Sequence, residues 1–252
     1  MIRFIVHGAA GRMGQAVIAA LTEHPELYTV AAAIDPYYAQ GTPCTDYPTF
    51  VSVSECKEDA DCIIDFSNHL CTVPLLAYAR AKKIPVMLAT TGHTDEEKAA
   101  IDASALEIPV FRAANMSLGI ATLCSLVKKA VAMFPDADIE IVEKHHNKKL
   151  DVPSGTALAL AEAVHTVRHN ARFLVGRHEN GLRTKEEIGI HSLRLGGVVG
   201  EHEVIITTGN ETITLKHEAH TRAVFADGAV AAGVFLYNKA PGLYTMEDLI
   251  AE

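Results

Sequence analysis

Residues 143–156 combine several groups that could act together on a small anion. They read E-K-H-H-N-K-K-L-D-V-P-S-G-T and contain two adjacent histidines, three lysines and two carboxylates. Histidine exchanges protons near neutral pH, and lysine carries a positive charge at that pH. The stretch therefore predicts a proton donor next to an anion-binding site.

The end of this stretch has the composition of a helix start. Pro is tolerated in the first turn, hydroxyl side chains cap free N–H groups, and the helix dipole attracts an anion. Residues 153–156, P-S-G-T, meet these requirements and run into the apolar repeat A-L-A-L-A-E-A-V. Lys149 and the pair His145 and His146 follow an apolar segment typical of a strand, so they could converge on the same anion. A solvated basic loop before an ordinary helix remains the alternative.

A second candidate site lies near the start of the chain. The apolar run Ile2 to Val6 predicts a buried strand, and G-A-A-G-R-M-G at residues 8–14 leads into a segment with helical spacing. Glycines at such a strand-to-helix turn allow the backbone to approach a pyrophosphate. A second strand, Val30 to Ile34, ends in Asp35, which could accept hydrogen bonds from the adenosine ribose. The pattern predicts a dinucleotide site, with a purely structural turn as the alternative.

The residues after Asp35 bear on the choice of cofactor. Pro36 follows directly, so no cation stands beside the acid to hold a 2′-phosphate. This favours NADH over NADPH, although Arg12 or a distant arginine could bind the phosphate instead.

Further strands and helices must position these groups. Strand and helix patterns alternate five times before residue 135, which predicts an α/β fold with a Rossmann-like, doubly wound parallel sheet. Two of its strands end in small-residue turns, A-T-T-G at residues 89–92 and R-A-A-N-M-S-L-G at residues 112–119. Such strand ends face the ligand crevice of doubly wound sheets. Residues 37–60 are predicted to form a loop with at most one short strand.

The second half of the chain follows a different period. Residues 138–143, 188–193, 203–207 and 211–216 alternate apolar and polar positions, and Gly209-Asn210 predicts a hairpin turn. We expect an α+β domain with a mainly antiparallel or mixed open sheet that has one free face. Residues 223–237 regain helical spacing and are predicted to return to the first domain. The boundaries expected are 1–116 with 223–252 for dinucleotide binding, and 117–222 for substrate binding and oligomerisation.

Composition limits the possible partners and location. The net charge of −9 argues against nucleic-acid binding, which needs a surplus of basic residues. No apolar run is long enough to cross a membrane and no leader pattern is present, so we expect a soluble cytoplasmic protein without a membrane partner.

Metal and disulfide chemistry are not expected. Five cysteines form no C-x-x-C pair, and their odd number does not fit a disulfide framework: Cys44, Cys56, Cys62, Cys71 and Cys124. No spacing supports a metal site, and structural roles are expected for the remaining histidines of the second half, which are His191, His202, His217 and His220.

Several motifs together resemble one family along nearly the whole chain. They are G-A-A-G-R-M-G, A-T-T-G, A-A-N-M-S-L-G, E-x-H-H-x-x-K-x-D-x-P-S-G-T-A, V-G-E-H and H-x-A-x-x-R-x-x-F-A-x-G-A. The chain thereby resembles the 4-hydroxy-tetrahydrodipicolinate reductases of lysine and diaminopimelate synthesis. The resemblance implies a nicotinamide domain, a substrate domain that forms the core of a homotetramer, and an active site in the cleft between the domains.

The resemblance also implies roles for individual residues. His145 matches the catalytic acid/base and Lys149 a proton donor. The substrate-binding positions are His146, Ser154, Gly155 and Thr156. The cofactor-binding positions are Gly8, Ala9, Ala10, Gly11, Arg12, Met13, Asp35, Ala89, Thr90, Thr91, Ala113, Ala114, Asn115 and Met116.

The implied substrate is a small cyclic imine dicarboxylate, reduced by NADH or NADPH. Two alternatives remain at this point. Another two-domain dehydrogenase would share the glycine-rich turn but not the central H-H-x-x-K-x-D-x-P-S-G-T motif, and a nicotinamide-sensing protein would need neither His145 nor Lys149. Asp151 is expected either to orient a lysine or to serve as a turn residue.

Overall fold

The computed structural model describes residues 1–41 and 45–251. In chain order the strands are β1 (Ile2–His7), β2 (Tyr28–Ile34), β3 (Thr49–Phe50), β4 (Cys62–Asp65), β5 (Val86–Leu88), β6 (Pro109–Arg112), β7 (Asp138–His145), β8 (Arg172–Val175), β9 (Glu187–Arg194), β10 (Gly200–Thr207), β11 (Thr212–Ala219) and β12 (Gly242–Tyr244). The α-helices are α1 (Arg12–Thr22), α2 (Thr72–Lys82), α3 (Asp95–Ala105), α4 (Leu118–Met133), α5 (Gly155–His165), α6 (Ala223–Leu236) and α7 (Met246–Ile250).

The chain divides into two compact units. One comprises Met1–Leu118 with Ala223–Glu252, and the other comprises Gly119–Arg222. Helix α6 belongs to the first unit, where it packs against α1 and against strands β4, β5 and β6.

The first unit contains a seven-stranded sheet in the order β12-β6-β5-β4-β1-β2-β3. Every pairing is parallel, which confirms the predicted doubly wound sheet. Its central strands are continuous apolar runs because helices cover both faces, and Phe4, Ile5 and Ile63 are fully buried. Parallel strands end at the same edge, so the turns after β1, β2, β5 and β6 all emerge there.

The second unit contains a five-stranded sheet in the order β11-β10-β7-β9-β8. The two pairings that involve β10 are antiparallel, whereas β7 with β9 and β8 with β9 are parallel. The sheet is therefore mixed, the second of the two arrangements expected from the sequence. Helix α5 lies between β7 and the next strands, and a crossover through a helix returns the chain in the parallel direction.

One face of this sheet forms the core of the second unit. Alternate residues of β7, β9 and β10 point inward against α4 and α5, including Ile139, Ile190 and Val204. The hairpin between β10 and β11 turns at Gly209-Asn210 as predicted, with the N–H of Thr208 donating to the carbonyl of Glu211 at 2.9 Å.

The predicted loop at residues 37–60 contains 3₁₀ turns at Pro36–Gln40 and Val53–Glu55 and the short strand β3. Residues 42–44 of that loop, including Cys44, lie outside the described residues. The four described cysteines, Cys56, Cys62, Cys71 and Cys124, carry free thiols. Across the described ranges, no helix is long and apolar enough to cross a membrane, and no group of three His, Cys, Asp or Glu is placed to hold a metal ion.

Candidate active site

Strand β7 places a carboxylate and an imidazole side by side. Glu143 and His145 are two residues apart, so both point to the buried face of the sheet. Glu143 is fully buried and His145 is 8% exposed. Nδ1 of His145 lies 2.5 Å from Oε2 of Glu143. This is the arrangement in which a carboxylate orients a histidine for proton transfer.

The end of β9 supplies the counter-charge for Glu143. Because β9 runs parallel to β7 with Arg194 opposite His145, the guanidinium reaches the same carboxylate. Nη1 and Nη2 of Arg194 donate to Oε2 and Oε1 of Glu143, each at 2.8 Å, and the N–H of Ser154 donates to Oε1 at 3.2 Å. Burial alone would raise the pKa of Glu143, but hydrogen bonds from Arg194 and His145 outweigh it and hold the pKa at about 2.

The imidazole of His145 is neutral for most of its time near pH 7. Burial lowers its pKa, Glu143 opposes this shift, and the charges of Lys149 and Arg194 add to it. Since an ionised carboxylate only accepts hydrogen bonds, Nδ1 of His145 carries the proton in this network. Nε2 remains for exchange with a ligand. A Cβ atom on Gly200 would lie 3.1 Å from Nε2, so glycine leaves this nitrogen uncovered on that side.

Lys149 lies in the loop between β7 and α5, close enough to lower the pKa of both His145 and His202 by its charge. Its ammonium lies 2.9 Å from Oδ1 of Asp151. The structure thus favours the first of the two roles considered for Asp151, which is to orient a lysine. The carbonyl of Asp151 accepts a hydrogen bond from Nη2 of Arg194 at 2.7 Å.

The predicted helix start is present and begins at Gly155, with Ser154 as its N-cap. The hydroxyl of Ser154 accepts a hydrogen bond from the N–H of Ala157 at 3.1 Å. Outside its own helix and chain neighbours, no heavy atom of the described residues lies within 4 Å of the position that a Cβ on Gly155 would occupy, so its backbone is open to a ligand. Thr156 is the next residue and is partly exposed. The first turn of α5 is therefore accessible as an anion site.

His202 on β10 was expected to be merely structural, but it belongs to this cluster. Its ring packs edge-on against that of His145, with centroids 5.1 Å apart, and its Nε2 lies 3.0 Å from the Ser154 hydroxyl. Burial, with the nearby His145, lowers the pKa of His202 to about 4. A neutral ring therefore forms one wall of the site. The predicted residue His146 is half-buried, and its buried Nδ1 has no hydrogen-bond partner among the residues that the structure describes.

In the first unit, the glycine-rich turn is shaped by close backbone contacts. Gly8 has a φ of +78°, and a Cβ there would lie 2.7 Å from the carbonyl carbon of Phe66. A Cβ on Gly14 would lie 2.2 Å from the carbonyl oxygen of Gly8. The N-cap of α1 is Gly11, whose side chain offers no capping group. The first N–H groups of α1 therefore lack a side-chain cap, which suits an incoming phosphate.

Two further cofactor candidates flank that turn. Arg12 and Met13 begin α1, and Arg12 is exposed. Asp35 follows β2, and its carboxylate accepts from the N–H of Ala10 at 3.0 Å and from that of Tyr37 at 2.9 Å. These bonds fix the carboxylate beside the glycine-rich turn. An ionised carboxylate has about four acceptor sites, so it can still accept from ribose hydroxyls.

The remaining cofactor candidates follow β5 and β6. Thr90 is buried and donates its hydroxyl to Oδ2 of Asp65 at 2.7 Å, so this side chain holds the turn in place. Its neighbour Ala89 is partly exposed and Thr91 is exposed. After β6, Oδ1 of Asn115 accepts from the N–H of Ser117 at 2.9 Å. The other members of this turn are Ala113 and Ala114, which are at least partly exposed, and Met116, which is buried.

The structure thus gathers His145, Lys149 and the N-terminus of α5 in the second unit, and the predicted cofactor residues at one sheet edge of the first. Glu143, Arg194 and His202 also belong to the first group, and they were not predicted from the sequence. One signal for Glu143 was present, since positions 143 and 145 of a strand share a face.

Comparisons with protein families and with individual relatives point to the same family. A family model described as "Dihydrodipicolinate reductase, N-terminus" matches residues 2–116, and one described as "Dihydrodipicolinate reductase, C-terminus" matches residues 119–250. A 4-hydroxy-tetrahydrodipicolinate reductase of Caldanaerobacter subterraneus subsp. tengcongensis is 48% identical over 99% of this chain and 98% of its own. One from Clostridium novyi is 40% identical over the same shares.

Solved structures agree. A dipicolinate-bound dihydrodipicolinate reductase from Paenisporosarcina sp. TG-14 superposes with a TM-score of 0.81 at 25% identity, covering 98% of this chain and 99% of that one. A C. glutamicum DAP dehydrogenase in complex with DAP is similar in fold alone, with a TM-score of 0.58 at 13% identity over 98% of this chain and 93% of its own.

Proposed function

The chain belongs to the dihydrodipicolinate reductase family, and from this premise we infer its reaction. It reduces (2S,4S)-4-hydroxy-2,3,4,5-tetrahydrodipicolinate to tetrahydrodipicolinate with loss of water, in the diaminopimelate route to lysine. The observation that carries this proposal is the pairing of His145 with Glu143 beside Lys149 and the open first turn of α5. Together they offer a proton donor next to a place for a carboxylate.

The chemistry sets three requirements on the site. Loss of the 4-hydroxyl as water leaves a carbon–carbon double bond conjugated with the ring imine. Hydride addition at C4 pushes electrons onto the ring nitrogen, and a proton added there gives the enamine, which tautomerises to the imine of tetrahydrodipicolinate. The protein must therefore hold two carboxylates, provide a proton close to the ring nitrogen and limit access of bulk water.

His145 and Lys149 meet the proton requirement. We assign His145 as the acid/base, acting through Nε2 because Nδ1 is engaged by Glu143. Lys149 is only 20% exposed and is held by Asp151, so its ammonium is oriented as both a charge and a second proton source. His145 and Lys149 together can protonate the ring nitrogen and neutralise a substrate carboxylate.

The carboxylates are assigned to the N-terminus of α5 and the residues around it. Gly155 and Thr156 present the first helical turn, and His146 adds a polar ring on the preceding loop. Ser154 has both its N–H and its hydroxyl engaged within the chain, so we assign it to supporting this turn. The solved Paenisporosarcina relative is bound to dipicolinate, a planar dicarboxylate, which supports a dicarboxylate ligand here.

A nicotinamide cofactor supplies the hydride. The turn at residues 8–13 and Asp35 would hold its adenosine and pyrophosphate, and the turns at residues 89–91 and 113–116 would line the nicotinamide. Within this proposal NADH is the preferred form. The Asp35 carboxylate suits two ribose hydroxyls but would repel a 2′-phosphate, and Pro36 and Tyr37 supply no local cation.

The proposed assembly is a homotetramer. The face of the second sheet that α4 and α5 leave uncovered mixes the partly exposed Val142 and Ile205 with a charged cluster, in which Lys144 lies 3.0 Å from Glu201. An apolar and charge-paired surface of this kind suits a self-complementary contact between copies. Light scattering of the purified protein should give four times the mass of one chain, and a monomer would contradict the assignment.

A coupled assay tests the function. Pyruvate and aspartate semialdehyde condensed in situ by a synthase should generate the substrate and drive oxidation of NADH by this protein. The rate should depend on all components and rise with the amount of protein added. Absence of a substrate-dependent rate with both NADH and NADPH would refute the proposal.

A further inference from the structure

A partly buried arginine joins the two groups that exchange protons. Arg194 donates two hydrogen bonds to Glu143, which contacts His145, and a third to the carbonyl of Asp151, whose carboxylate holds Lys149. We propose that Glu143 and Arg194 are positioning residues that set the tautomer of His145 and the place of Lys149. This proposal rests on the function assigned to His145 above and deepens it.

The charge on Glu143 is stabilised by its neighbours. A fully buried carboxylate is stable only when its charge is paired and its oxygens are hydrogen-bonded. Arg194 satisfies both needs by a two-point contact that lysine, with a single ammonium, cannot reproduce. Glu143 therefore remains an anion at every pH at which the protein would work.

The proton of neutral His145 is held on Nδ1. Oε2 of Glu143 accepts from Nδ1 of His145 and from Arg194, and Oε1 accepts from Arg194 and from the N–H of Ser154. In all four of these contacts, which come from three residues, the carboxylate is the acceptor. Neutral His145 is confined to the tautomer with the proton on Nδ1, so that Nε2 carries the lone pair.

This fixed tautomer determines which bond breaks in the reaction. When His145 is protonated, the Nε2–H bond breaks as the proton passes to the ring nitrogen of the reduced substrate, and the electron pair stays on Nε2. The Nδ1–H bond to Glu143 persists throughout, and a proton from water restores Nε2–H. Glu143 also stabilises the charged imidazolium between turnovers.

The variant Glu143→Gln tests this tautomer because the NH₂ group of the new amide can occupy either the Oε1 or the Oε2 position. At the Oε1 position the NH₂ group would face two obligatory donors, Arg194 and Ser154. At the Oε2 position it would face one obligatory donor and the imidazole, which can become an acceptor. The amide should therefore donate to Nδ1 and switch His145 to the Nε2–H tautomer.

The experiment combines spectroscopy with kinetics. Imidazole ¹⁵N shifts of the full-length protein without ligands should report Nδ1–H for His145 in the wild type and Nε2–H in Glu143→Gln. The kcat should fall by about 10²-fold or more, with the KM for the dicarboxylate changed by less than about threefold. Loss of the anion should also lower the pKa of His145 and move the pH profile of kcat to more acidic values.

The same strand offers a matched control. Glu140 lies on the opposite face of β7, contacts His191 at 2.7 Å and is paired with Arg183. Glu140→Gln removes the same charge from a similar Glu–His–Arg group, and it should leave the tautomer of His145 and the kcat unchanged. Thermal unfolding of both variants separates misfolding from loss of positioning.

If Glu143→Gln does not fold, the variant Arg194→Lys tests the positioning role instead. It should keep the Nδ1–H tautomer, because Glu143 stays ionised, but lower kcat by about tenfold through the loosened Lys149 loop. An unchanged tautomer in Glu143→Gln, or full kcat in both variants, would overturn the proposal. A wild-type protein without activity would refute the proposed function instead, while the tautomer measurement would still test the positioning.

Discussion

The hydroxyl of Ser154 lies 3.0 Å from Nε2 of His202, and it also accepts a hydrogen bond from the N–H of Ala157. One side chain therefore caps α5 and anchors a histidine on β10. Because burial is the main cause of the low pKa of His202, about 4, the folded protein holds this ring neutral well below its usual range. The unfolded chain would protonate it near pH 6.5.

This difference predicts a specific loss of stability in acid. Between about pH 6.5 and pH 4 the unfolded state binds one more proton at His202 than the folded state, so the free energy of unfolding falls as the pH falls. A shift of this size corresponds to at most about 3 kcal/mol. Urea unfolding at several pH values should show a shallower decline over this window in His202→Asn than in the wild type.

The exposed His220 provides the control for that measurement. His220→Asn should show the same dependence of stability on pH as the wild type. If His202→Asn declined as steeply as the wild type, the neutral state of the buried ring would not contribute to acid sensitivity.

Substitution of the two proton-exchanging residues should affect different kinetic constants. His145→Gln should lower kcat by about 10² to 10⁴-fold with a small change in KM. The reason is that proton transfer by His145 stabilises the transition state but does not contribute to binding of the substrate. Lys149→Ala should lower kcat and raise KM together, since it removes both a proton source and a charge that binds the substrate. Steady-state rates with saturating NADH measure both constants.

Lys148 offers a comparison one position away in the same loop, where it is exposed. Lys148→Ala should retain near-wild-type constants. Near-full turnover by His145→Gln would assign the acid/base role to a different group.

Much of the fold was predictable because local pattern determined it. The segments Phe4 to Val6 of β1, Val30 to Ile34 of β2 and Cys62 to Ile64 of β4 are continuously apolar, and the glycine-rich turn follows β1 directly, so the parallel sheet could be predicted from sequence alone. Strand β8 was missed because Arg172 to Val175 is short and largely exposed, which leaves no alternating pattern. The parallel pairing of β7 with β9 depends on the crossover through α5, which alternation does not reveal.

Some residues of the candidate site could likewise be predicted from local sequence, and others could not. His145 and Lys149 were predictable because their types and spacing occur within one stretch of the chain. Arg194 reaches Glu143 only through the register that places it opposite His145 on a neighbouring strand. His202 owes its low pKa to burial on the same face of β10 as Val204, and this was missed because the predicted strand began only at residue 203.

The cofactor preference can be tested at Asp35. Asp35→Asn keeps an oxygen that can accept from the N–H of Tyr37 or of Ala10 but removes the negative charge. The kcat/KM ratio of NADPH to NADH should rise about tenfold or more, because repulsion of the 2′-phosphate disappears and one ribose acceptor is lost. Asp46, in the same unit, provides a charge control through Asp46→Asn. A wild type that strongly prefers NADPH would contradict the role given to the Asp35 carboxylate.

The uncovered nitrogen of His145 predicts a steric effect at Gly200. A Cβ there would lie 3.1 Å from Nε2 and 3.5 Å from Cδ2 of the ring, closer than ordinary van der Waals contact for the first atom. The imidazole ring of His145 cannot rotate freely. Glu143 is hydrogen-bonded to Nδ1 of His145, and the ring of His202 makes an edge-to-face contact with the ring of His145. Gly200→Ala should therefore lower kcat by about tenfold while the KM for NADH stays unchanged.

Gly197→Ala is the matched control, since, apart from its chain neighbours, no atom of the described residues lies within 4 Å of its added methyl group. Equal kcat values for the two variants would show that access to Nε2 past Gly200 is not needed for turnover.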